Sequence, residues 1–168
     1  MRQRFSGVLL AALLCAGCEP VRDPPPSVAF GGLPVSGGVP DIQRAGFSDC
    51  LNMDAISMRC RRHGVTLAGQ GPYEAAVDMV GSDGKGGFDQ LTLWHDTDQT
   101  AVYKVTDTLK KQGWRYCYIG TDQKGDQAFF ARKGTPVIVF MDLSYWGKRR
   151  LRVMPEWNRR DKRCIPDH

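Results

Sequence analysis

The chain has 168 residues, 42% of them hydrophobic, with 23 Lys and Arg against 18 Asp and Glu for a formal charge of +5. That length suits one domain plus a tail, and the small basic excess by itself argues nothing for a nucleic-acid partner. The apolar run Val8–Leu14 is seven residues long, far short of the roughly 20 that a transmembrane helix requires.

The N-terminus carries the most specific signal. Arg2 and Arg4 give a positive start, Val8–Leu14 is a hydrophobic core of signal-peptide length, and the small residues Ala16 and Gly17 lead into Cys18. These 18 residues resemble the lipobox of bacterial lipoproteins. The resemblance departs from the usual pattern at Cys15, which stands where Leu is common. It implies that residues 1–17 are a signal peptide, that Cys18 becomes the acylated N-terminus, and that the protein faces the periplasm from a membrane. Glu19 after the cysteine leans the assignment to the outer membrane. Several acyl chains together give stable attachment, because each buried CH₂ contributes about 0.8 kcal/mol and one chain alone binds only marginally. A periplasmic address also makes nucleic acid a poor partner. Removing Arg2 and Arg4 lowers the formal charge to +3.

Residues 18–45 read as a tether. Pro20, Pro24, Pro25, Pro26, Pro34 and Pro40 alternate with Gly31, Gly32, Gly37 and Gly38. Proline lacks a backbone donor and glycine adds unfolded-state entropy, so this stretch is expected not to pack. As flexible coil it would span roughly 30 Å. A single domain is then expected over 46–168.

Residues 47–60 are ambiguous between a short helix and a strand pair. Ile56–Arg61 and Val65–Ala68 could be strands turned at His63-Gly64. Tyr73–Val80 and Phe88–Trp94 read as a hairpin around the Gly81–Gly87 turn. Thr97 or Asp98 is a good N-cap. Ala101, Val102, Val105 and Leu109 then recur at helical spacing over about 98–112, with Gly113 as the stop. Trp114–Ile119, Gln127–Arg132, Pro136–Leu143 and Arg149–Met154 read as strands with short gaps, which suit antiparallel hairpins. The expected fold class is therefore α+β: an antiparallel sheet with one main helix, stapled by two disulfides. With Cys15 discarded and Cys18 acylated, four cysteines remain in an oxidising compartment. Three pairings are open, and Cys50–Cys60 with Cys117–Cys164 is the favoured one. No CxxC occurs, and no metal or cofactor is implied.

No catalytic motif emerges. Trp94-His95-Asp96 with Asp98 is the most enzyme-like cluster, but it lies where a strand leads into a helix and no nucleophile motif accompanies it. Asp83–Asp89 lacks the alternating ligands and closing Glu of a calcium loop. Trp114, Tyr116 and Tyr118 alternate on one strand face, a stripe that reads as core packing. Lys148–Arg163 is the strongest functional lead. It holds eight basic residues against Glu156 and Asp161, a local charge of +6, with Tyr145, Trp146 and Trp157 interleaved. Lys148, Arg150 and Arg152 fall on one strand face and are the candidate ligands for an anionic envelope component. The sequence thus points to a non-catalytic binding or scaffolding module, held by a lipid anchor and meeting an anionic component or a protein partner. The alternative is a tethered inhibitor of a secreted hydrolase, with Tyr145-Trp146-Gly147 inserting into a cleft.

Overall fold

The computed structural model describes residues 29–122, 125–143 and 149–155, and their side chains apart from 118–122 and 125–126. The signal peptide, Cys18, Lys148, Cys164 and the Tyr145-Trp146-Gly147 loop lie outside the described residues.

The first elements fall inside the stretch expected to be tether. Strands β1 (Ala29–Phe30) and β2 (Leu33–Pro34) form a small hairpin. Its two loop residues, Gly31 and Gly32, both have positive φ, at 57° and 83°, the geometry of a type I′ turn that other residues adopt only with strain. A Cβ on Gly31 would also meet Leu67 Cδ1 at 2.3 Å. Helix α1 (Val39–Arg44) follows, with Pro40 in its first turn and the Gly38 N–H donating to the Asp41 carboxylate at 2.8 Å. It ends in a Schellman motif: the N–H groups of Gly46 and Phe47 donate to the carbonyls of Gln43 and Ile42. Phe30, Leu33, Val35, Ile42 and Phe47 are all buried in the main core. The tether reading is therefore corrected over 29–45: these prolines and glycines serve turns and a helix start, and the sparse apolar residues between them pack.

Strands β3 (Asp49–Asp54), β4 (Ser57–Leu67), β5 (Gln70–Val80) and β6 (Phe88–Trp94) form an antiparallel meander. The ambiguous stretch is thus a strand pair. Its turn lies at residues 55–56, where Asp54 accepts from the Ile56 N–H and the Ser57 hydroxyl, both at 2.9 Å. These bonds hold the Asp54 carboxyl below the usual range. No turn occurs at His63-Gly64; β4 runs through it. Gly64, with φ of 66°, absorbs a register shift between Arg62 and Val65 as a bulge. Cys50 and Cys60 sit directly opposite each other on β3 and β4 and are bridged.

Helix α2 (Ala101–Lys111) starts from Thr100, later than the expected cap, and also closes with a Schellman motif, Trp114 N–H to the Leu109 carbonyl and Gly113 N–H to Lys110. It carries the chain to the far edge of the sheet. There β7 (Arg115–Asp122), β8 (Gly125–Ala131), β9 (Val137–Asp142) and β10 (Arg150–Pro155) meander back. The eight strands lie in the order β3-β4-β5-β6-β10-β9-β8-β7, every neighbour antiparallel. The last strand, β10, thus joins the two meanders at the centre.

Alternation divides the sheet. Val77 and Met79 of β5, Leu91 and Leu93 of β6, Leu151 and Val153 of β10, and Val139 and Met141 of β9 are buried with Val102, Val105 and Leu109 of α2. The stripe on α2 buries here, as an amphipathic helix must. Of the aromatic stripe, Trp114 is buried against Phe30 while Tyr116 is 47% exposed; the Tyr118 side chain is outside the described set. No helix among the described residues is long and apolar enough to cross a membrane.

Candidate functional site

The face of the sheet that α2 leaves open is mostly polar in its β4-β5-β6-β10 half. Pairing across the strands aligns Arg61, Ala76, Thr92 and Arg152 in one row. The next row brings Glu74, Trp94 and Arg150 together, and a third sets Arg59 beside Asp78 and Gln90. Ala76 and Thr92 are short, so they floor an open depression of about 360 Å³. Arg59, Arg61, His63, Trp94 and Arg150 stand around it.

Most charges on this face already have partners. Arg59 grips Asp78 with both ends of its fork, Nε to Oδ1 at 2.6 Å and Nη2 to Oδ2 at 2.9 Å, and Gln90 Nε2 donates to Oδ2 at 2.8 Å. The Asp78 carboxylate raises the Arg59 pKa. His63 lies between two carboxylates, its Nδ1 against Glu74 Oε2 and its Nε2 3.6 Å from Asp49 Oδ2. Arg152 reaches diagonally to Asp142, with Nη2 to Oδ1 at 2.8 Å and Nε to both oxygens at 3.2 Å, and its guanidinium lies over the Phe140 ring. Arg152 is buried. The expectation that Arg150 and Arg152 act together is corrected: they do share a face, but Asp142 neutralises Arg152. The Arg61 and Arg150 side chains are exposed, and their guanidinium groups have no hydrogen-bond or ion-pair partner among the described residues. Two guanidinium groups on opposite rims of a shallow floor can receive a carboxylate or phosphate through paired N–H donors.

The enzyme-like cluster is committed to its own turn. His95 Nδ1 accepts from the main-chain N–H of Asp98 at 2.9 Å and of Thr97 at 3.3 Å. The Trp94 indole donates to Asp96 at 3.1 Å. Asp98 accepts from the Thr100 hydroxyl and N–H at 2.7 and 2.8 Å, which hold its carboxyl below the usual range. In the glycine-rich turn, Lys85 Nζ sits 2.7 Å from Asp83 and lowers that carboxyl as well. Among the described residues no group of three or more His, Cys, Asp or Glu side chains could hold a metal ion.

Arg59, Arg61 and His63 are site residues that the sequence reading misses. Their signal is a period-two run on β4, which a turn expected at His63-Gly64 interrupts. Comparisons with protein-family models, curated proteins and solved structures return no match.

Proposed function

We propose that the chain is a non-catalytic envelope lipoprotein, acylated at Cys18 and facing the periplasm from the outer membrane. Its open sheet face binds an anionic envelope component. One observation carries the binding reading: Arg61 and Arg150 stand without described carboxylate partners on the rim of a depression whose other charges are paired. Lys148 precedes Arg150 by two residues in the sequence and adds to the basic character of this stretch. The second disulfide of the fold joins Cys117 to Cys164. Supporting this, Cys117 is disulfide-bonded, its partner lies outside the described residues, and signal removal with acylation leaves Cys164 as the remaining cysteine.

The test is co-sedimentation of residues 19–168, which keep every described residue, with lipopolysaccharide and with peptidoglycan. Arg61→Ser with Arg150→Ser should weaken binding while the melting temperature holds. Binding should also weaken with salt, since the Debye length falls from about 10 Å at 0.1 M to about 3 Å at 1 M. A wild-type domain that sediments with neither at low salt would remove the reading.

A second reading is a tethered inhibitor of a secreted hydrolase. It is favoured by the β3-β4 hairpin, where Leu51, Met53 and Ile56 are exposed, Ile56 by 75%, next to an exposed Val80. A patch of this kind marks a protein contact. Capture from envelope extract would then recover one hydrolase in stoichiometric amount, lost on Ile56→Asp.

A further inference from the structure

The chain enters the described fold at Ala29. Beside that entry lies a small cavity of about 210 Å³ walled by Phe30, Leu109, Gln112, Trp114, Arg132 and Pro136. Two sequence-distant stretches meet there. The Arg132 guanidinium lies over the Trp114 ring, 5.3 Å from its centroid, and donates to the Gln112 carbonyl at 3.3 Å. Arg115 pairs with Ala131 across β7 and β8. This closure brings Lys110, Lys111, Arg115, Arg132 and Lys133 to one end of the molecule, all exposed. The same stretches, 107–117 and 131–137, hold one carboxylate, Asp107, and it lies 3.9 Å from Lys110. The dipole of α2 accounts for Lys110 and Lys111 at its C-terminus; it does not account for the other three. Lys110 also sits 5.1 Å over the ring of the half-exposed Tyr116, an amphipathic residue of the kind found at headgroup level.

We infer that this end of the fold is a docking face for anionic phospholipid headgroups. The location of the chain's entry supports a membrane as the occupant. If Cys18 carries the anchor, as proposed above, ten residues separate it from Ala29. A coil of that length spans about 18 Å, so the end bearing Ala29 is held close to the headgroups. Each Lys or Arg near an anionic surface then strengthens attachment about fivefold. The face is separate from the open-face depression. Arg150 starts β10 and Pro155 ends it, where Pro155 pairs with Val137 of the cavity wall, roughly 17 Å further along at about 3.4 Å per residue.

The experiment uses residues 19–168, which lack the anchor, and vesicles of phosphatidylglycerol and phosphatidylcholine at 1:3 against pure phosphatidylcholine, read by co-sedimentation. The protein should bind the anionic vesicles and leave the neutral ones. Lys111→Glu with Lys133→Glu alters two exposed side chains that have no described partner, and should lower that affinity by at least about tenfold. Arg44→Glu with Lys104→Glu changes the net charge equally at two exposed positions outside both faces, and should lower it by no more than about threefold. Equal binding to both vesicle types, or equal loss in the two variants, overturns the inference. Because the open-face pair is scored separately on lipopolysaccharide and peptidoglycan, failure of that site and failure of this face are distinguishable.

Discussion

The hydroxyl of Tyr73 donates to the main-chain carbonyl of Ala101 at 2.9 Å, fastening the start of β5 to the first turn of α2. The two residues are 28 apart in sequence, and Tyr73 is 1% exposed. Burial pushes the Tyr73 pKa up, and the Asp98 carboxylate adds to it.

A raised tyrosine pKa stabilises the fold fully below the unfolded value of about 10 and loses that contribution as pH rises beyond it. Tyr73→Phe should cost about 1 kcal/mol at pH 8 through the lost hydrogen bond. Urea midpoints of the two proteins should draw together between pH 8 and pH 10.5, because only the wild type must keep a buried phenol protonated. A gap that widens would contradict the assignment.

The Arg152–Asp142 pair is structural. Removing one partner of a buried pair costs about 3–5 kcal/mol, and the slight exposure of Asp142 places Arg152→Met nearer 2–3. Adding Asp142→Leu should recover most of the loss, measured by denaturation. A fully stable Arg152→Met single variant would return Arg152 to the list of free docking residues.

The folded unit includes residues well before position 46. A fragment of residues 46–168 leaves out Phe30, Leu33, Val35 and Ile42, each worth about 1.5–3 kcal/mol when buried, together comparable with a typical domain stability of about 5–15 kcal/mol. That fragment should fail to give a cooperative thermal transition, whereas residues 19–168 should unfold in one.

Neither Cys117 nor Cys164 should titrate as a free thiol in the unreduced, unfolded protein, and mass mapping should find them joined. A loop of that length contributes about 4 kcal/mol in the chain-entropy account. A peptide linking Cys117 to Cys50 would reject the pairing.

Cys18→Ser should abolish labelling by a fatty-acid analogue and release the protein from membranes. Labelling that survives the change would end the lipoprotein reading.

Much of this architecture could be read from period alone. The helix was marked by Ala101, Val102, Val105 and Leu109, and the second meander by short apolar runs with short gaps. Two things could not be read that way. Phe30, Leu33, Val35 and Ile42 are too widely spaced among proline and glycine to show a period, because they pack from two-residue strands, a connecting segment and a short helix. The depression was invisible for a different reason: its rim comes from β4 and β10, and those strands are brought near by the insertion of β10 beside β6. Charge segregation along the chain marked both Arg150 and Arg152, but could not tell the exposed Arg150 from the buried Arg152, whose partner Asp142 lies across a loop.

That central position of β10 has a consequence for the chain while it is being made. Trp94 of β6 pairs with Arg150, 56 residues later. Until those residues have been made and, on the export route proposed above, carried across the membrane, one side of β6 stays open. During that window the first meander presents an unpaired apolar edge to whatever surrounds it. A holding chaperone that recognises extended apolar segments would find its target at Phe88–Trp94, and would be displaced by the arrival of the final strand.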